Sequence, residues 1–164
     1  MLTFRIEFEG MDQVLAVLTS WRATVADLAQ VMPEISEVLA GEAEDRIMSS
    51  GAHDGARYAP LTRRYAARKQ KRWGSAEPIL FASGRLLSSL ANPDHAERVL
   101  TVTRKSADWG TRVPYAGYHH TGTKYAPARP PLRVTEKTAA LVEAAYLLRL
   151  ERLRDEALAA GAAA

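Results

Sequence analysis

Three prolines within five residues, Pro127, Pro130 and Pro131, limit what this chain can fold into more sharply than any other stretch. Proline has no amide hydrogen to give to a sheet ladder, its ring fixes φ, and it pushes the residue before it toward extended geometry. Residues 126–132 therefore read as a pre-stiffened extended arm. Ahead of the arm, from Val113 onward, stand Tyr115, Tyr118 and Tyr125, the adjacent pair His119 and His120, and two glycines, Gly117 and Gly122. Glycine supplies the backbone freedom that turns require. The stretch predicts an ordered turn feeding a stiff arm, a presented loop and not a core element.

The rest of the chain supplies a body for this loop. Leu2, Phe4, Ile6 and Phe8 alternate with polar residues, the period of a strand buried on one face. Val14, Leu18, Trp21, Val25, Leu28 and Met32 then step along one helical stripe, with Asp12 as N-cap. Pro33 kinks that helix or opens a new one, and the stripe resumes through Ile35, Leu39, Ala43 and Ile47 until Ser49, Ser50 and Gly51 stop it. Residues 51–60 have the composition of a mobile surface loop. After it, Leu86, Leu87 and Leu90 predict a short helix capped by Ser83. Glu97–Arg104 and Asp108–Arg112 predict a β-hairpin with Leu100 and Val102 on the core face and Trp109 opposite. Thr135 caps a long C-terminal helix whose stripe is Val134, Leu141, Ala145 and Leu148, widened by Val142, Tyr146, Leu150 and Leu153. The alanine-rich end, about residues 158–164, has only methyl groups to bury and is expected to fray. The fold predicted is α+β. A small antiparallel sheet is packed by a long N-terminal helix, or helix pair, and by the C-terminal helix, in one domain over residues 1–164.

Between Asp54 and Glu77 there is no acid, and Arg57, Arg63, Arg64, Arg68, Lys69, Lys71 and Arg72 alternate with Tyr58, Tyr65 and Trp73. Residues 51–76 are thus expected to present an exposed loop and basic helix, whose cations can meet nucleic acid phosphates, a protein partner or solvent. The overall balance is mild, since 22 basic against 19 acidic residues give a net charge of +3. The first residues lack the unbroken apolar run of a signal peptide, and no stretch is long and apolar enough for a membrane span. A soluble chain made in the cytoplasm is the expectation.

Catalysis finds little support. The chain has no cysteine, which removes thiolate nucleophiles and the usual structural zinc ligands. Two adjacent histidines on a helix point about 100° apart and chelate poorly. Ser83 lacks the leading glycine of a nucleophile elbow, and no phosphate loop or dinucleotide fingerprint occurs. No catalytic, metal or cofactor residue is assigned.

Three ordered stretches resemble the phage virion morphogenesis family of tail-completion and head-tail joining proteins. They are Tyr58-Ala59-Pro60-Leu61 leading into the basic helix; Ile79-Leu80 with Ser83-Gly84-Arg85-Leu86 and Ser88-Ser89-Leu90; and Tyr115-Ala116, His119, Gly122 and Pro127-Ala128-Arg129-Pro130. Pro131 stands where that family commonly has phenylalanine, with Leu132 as its substitute. The resemblance implies a structural virion protein of the neck or tail top, made in the host cytoplasm. It implies a homo-oligomeric ring, sixfold by likeness to the family, meeting neck, connector and tail-tube proteins in a phage, a prophage remnant or a gene transfer agent. In such a ring the turn and arm offer Tyr115, His119, Gly122, Tyr125, Arg129, Pro130 and Leu132 as candidate subunit contacts, and the basic block is a candidate surface for non-specific DNA or partner contact. Two other readings stand beside it: a stand-alone basic nucleic-acid-binding protein, and a metal-dependent hydrolase using the histidines.

Overall fold

A computed structural model describes residue 19 and residues 27–104 and 106–162. The predicted N-terminal strand at residues 2–8 and the helical stripe at residues 14–25 lie outside the described residues. A 3-10 turn at Leu28–Gln30 leads into helix α1, Met32–Met48, with Pro33 in its first turn. Proline is tolerated there because the first helical amides have no intrahelical partner. The remaining elements are α2 at Arg63–Trp73, α3 at Arg85–Ala91, β1 at Arg98–Val102, β2 at Ala107–Thr111, α4 at Ala116–Thr121 and α5 at Glu136–Ala162. The fold is α+β, as the sequence pattern predicts.

Helix α1 organises the packing because its two halves bury against different partners. Ala43 and Ile47, from its second half, close a core with Leu86 and Leu90 of α3 and with Val113. Val31, Met32 and Ile35, at its start, form a second core with Leu153 of α5, against which Val142, Tyr146 and Leu150 also pack. The C-terminal helix therefore turns its widening stripe inward. Val134, Leu141 and Leu148, expected to face the core, are exposed instead. Thr135 caps α5 as expected, its Oγ1 accepting from the Thr138 amide at 3.1 Å.

The hairpin is antiparallel with Leu100 paired to Trp109 and Val102 to Ala107. Trp109 thus stands directly opposite Leu100, as expected, and the two share a face of the sheet. Trp109 packs on the first core and Val102 on the second, while Leu100 is 42% exposed beyond the packed region. Thr111 fixes β2 to α3 by donating to Ser89 Oγ at 2.8 Å. Helix α3 begins one residue later than predicted, with Gly84 as N-cap at φ 78°, a left-handed geometry that suits glycine better than Ser83.

Candidate functional site

The proline arm and the 51–60 loop meet at the end of α1, and a buried arginine joins them. Arg46 lies on the inward side of α1, one residue before Ile47, and a charge can sit there only if it is paired. Its Nε donates to the Pro130 carbonyl at 2.8 Å, its Nη1 pairs with Asp54, and its guanidinium stands 5.2 Å from the Tyr58 ring centre. Tyr58 donates from its hydroxyl to the same Pro130 carbonyl at 2.9 Å. Burial pushes the Tyr58 phenol up to about 12, against the opposing pull of Arg46.

Arg129 closes the knot from the other side. It is 8% exposed; its Nε donates to Ala59 O at 2.9 Å and its Nη2 to Pro60 O at 3.0 Å. Its backbone amide donates to His119 O at 2.7 Å. Two arginines thus satisfy carbonyls of extended and proline-rich backbone that no strand partner could reach, each charge-assisted bond contributing about 1.5–3 kcal/mol. The expected free arm is therefore a strap lying on its own chain. Arg129 and Pro130 are committed inside the knot, Pro131 is buried, and Leu132 packs on the first core. The sequence shows a stiff segment at 127–131 but not the arginine pair that draws it inward. The expected mobile loop is likewise tied down, with Tyr58 N donating to Ser50 O at 2.8 Å and Gly51 at φ 83°.

The turn ahead of the strap is braced from behind and presented in front. Gly122 holds φ 77°, and a Cβ there would lie 2.7 Å from the Ala128 amide, so the crossing of turn and strap admits only glycine. Tyr115 packs on the first core and meets the His119 ring edge-on at 5.7 Å. Burial, with the Arg129 charge adding to it, lowers the His119 pKa from its usual 6.5. On the outer side Tyr125 is 86% and Tyr118 65% exposed, with Lys124 Nζ 4.8 Å from the Tyr125 ring. Tyr118, a tyrosine of the presented loop left out of the expected contact set, belongs with Tyr125 as an outward aromatic.

Helix α2 presents Arg63, Arg64, Arg68, Lys71 and Arg72, and Arg57 is exposed just before it. Two of its guanidiniums lie over aromatic rings, Arg68 over Tyr65 at 5.1 Å and Arg72 over Trp73 at 4.7 Å. Lys69, expected on this surface, is instead 2% exposed, and its Nζ donates to Ala76 O at 2.7 Å and Pro78 O at 2.5 Å. Burial lowers the Lys69 pKa, and nearby Glu77 works against that shift. Its ammonium is a strut for the 76–78 turn.

His119 and His120 join no group of metal-ligating side chains among the described residues. The group that does form is Glu42, Asp45 and His53, whose ligand atoms lie within 4.8 Å of one another. Lys137 already brings a cation there, its Nζ 3.0 Å from His53 Nε2 and 3.7 Å from Glu42 Oε1. Burial pushes Glu42 upward, but His53, the Thr138 hydroxyl and Lys137 together hold its pKa below the ordinary 4.5. Lys137 and the Thr138 hydroxyl both reach Glu42, so the cluster is a polar tie between α1 and α5.

Residues 9–150 match the phage virion morphogenesis family. The chain belongs to that family. Among curated proteins and solved structures nothing matches it. Membership gives the chain a structural part in building phage particles.

Proposed function

We propose that this chain is the subunit of a homo-oligomeric ring at the neck or tail top, where it completes the tail and joins it to the head of a phage or phage-like particle. Six copies form the ring, which meets connector and neck proteins on one side and tail-tube proteins on the other. The observation that carries this reading is the turn at residues 115–126 in a chain of a particle-building family. Its base is locked by Arg129, Gly122 and Tyr115, and its outer face offers Tyr118 and Tyr125. Rigid tyrosines lose little conformational freedom on docking and so make effective contacts at protein interfaces. The role requires neither catalysis nor a cofactor.

The test is removal. Particles assembled without this chain are expected to accumulate as filled heads and separate tails in negative-stain micrographs, and supplying the chain in trans should join them. Normal joined particles in its absence would overturn the proposal.

A further inference from the structure

The charge of this chain is small in sum and unevenly divided along the sequence. Helix α2 carries six of the 22 basic residues and none of the 19 acidic ones, so the rest of the chain holds 16 bases against 19 acids, a net −3. Helix α1 carries five acids, Glu34, Glu37, Glu42, Glu44 and Asp45, against Arg46 alone, and Arg46 is turned inward.

The exposed parts of the two helices match in spacing. Arg64, Arg68 and Lys71 recur at i, i+4 and i+7 on the open face of α2; Glu37, Gly41 and Glu44 recur at the same intervals on the open face of α1. Seven residues advance about 10.5 Å along either axis, so the end charges of one stripe can stand opposite those of the other. Gly41 leaves the middle of the acidic stripe without a side chain, with nothing within 4 Å of where a Cβ would be. That hollow can receive Arg68 together with the Tyr65 ring beneath it. Among the described residues, none of the exposed α2 cations is in an ion pair, and neither is Glu37 or Glu44.

We propose that α2 of one copy lays its basic face on the acidic α1 face of the next copy, and that this contact propagates the ring. This rests on the ring reading above and names its joint. Two different patches meeting head to tail make a heterologous interface, which forms a ring when the rotation between copies closes. Packaged DNA would account for the basic stripe alone, whereas a second copy accounts for both stripes and for their equal spacing. Aromatic-backed arginines are also the residues that dominate protein interfaces.

The experiment is native mass spectrometry of the purified full chain at low ionic strength, with two exposed-site variants. One carries Arg64→Glu and Arg68→Glu; the other carries Glu37→Arg and Glu44→Arg. Each alone sets like charges against each other, and its association should weaken by at least about a hundredfold. Mixed together, the two restore opposite charges at every joint and should give closed rings holding equal numbers of each. Thermal melts by circular dichroism check that both variants fold. Wild-type rings that persist in either variant alone would overturn this joint while leaving the ring reading intact. So would intact rings in particles that have lost DNA retention, which would assign the basic stripe to DNA. A wild-type chain that stays monomeric at every salt concentration and protein concentration would overturn the ring reading and, with it, the joint.

Discussion

Arg129→Ala removes the fork that holds the strap to the 59–60 backbone, and the loss can be worked from its geometry. Two charge-assisted hydrogen bonds disappear, at 2.9 and 3.0 Å, each contributing about 1.5–3 kcal/mol. Pro60 is exposed and Ala59 half-buried, so water can recover part of the loss at both carbonyls. The side chain is nearly fully covered, so packing along its methylenes is lost as well. A net destabilisation of about 2–4 kcal/mol follows, which for a chain of this size lowers the melting temperature by about 5–15 °C. Arg129→Lys keeps the charge but not the fork and should recover less than half. The assay is thermal denaturation followed by circular dichroism, at a protein concentration where wild type is monomeric. An arginine kept free for a neighbour predicts no change in monomer melting. A shift of under about 1 °C would refute the clamp.

Tyr58→Phe removes the second donor to Pro130 O and should cost about 1 kcal/mol, read by urea denaturation. In an ultraviolet titration of wild type, one of the six tyrosines should ionise only near pH 12, and that phase should vanish in Tyr58→Phe. Gly122→Ala, at positive φ with its Cβ 2.7 Å from Ala128 N, should destabilise by more than about 2 kcal/mol, whereas Gly117→Ala, with nothing within 4 Å, should not. The His119 pKa is depressed in the folded chain, so the unfolded chain takes up a proton first as pH falls. Stability should be fully present above pH 6.5 and decline as pH drops through the folded value, and His119→Gln should flatten that slope in melts between pH 7.5 and 5. Lys69→Met should destabilise by leaving the Ala76 and Pro78 carbonyls without their donor, an outcome not expected of a surface lysine.

Much of the fold was legible because periodicity reports burial directly. Ile35, Ala43 and Ile47 at helical spacing gave α1 its buried face, and Val99 to Val102 with the turn after it gave the hairpin. The C-terminal helix was legible in existence but not in rotation. Both of its stripes are apolar, and only the position of α1 decides that Val142, Tyr146 and Leu150 turn inward. At the site, proline stiffness and the glycine turn could be read because they are local backbone properties. The direction of the strap could not, since it depends on Arg46 and Arg129 meeting carbonyls 84 and 70 residues away. One signal was present: Arg46 falls beside Ala43 and Ile47 on the buried side of its helix, where a lone charge demands a partner. Lys69 carried a weaker one, since a charge run gives no hint of which member turns toward the carbonyls of the next turn.

The most direct measurement is a cryo-electron microscopy map of the assembled particle at the head-tail joint. The account predicts a closed ring of this chain in which Tyr118 and Tyr125 are covered by neighbouring subunits, while residues 127–131 remain on their own Arg46 and Tyr58. A particle lacking this chain at the joint, or a turn left bare to solvent in the ring, would contradict it.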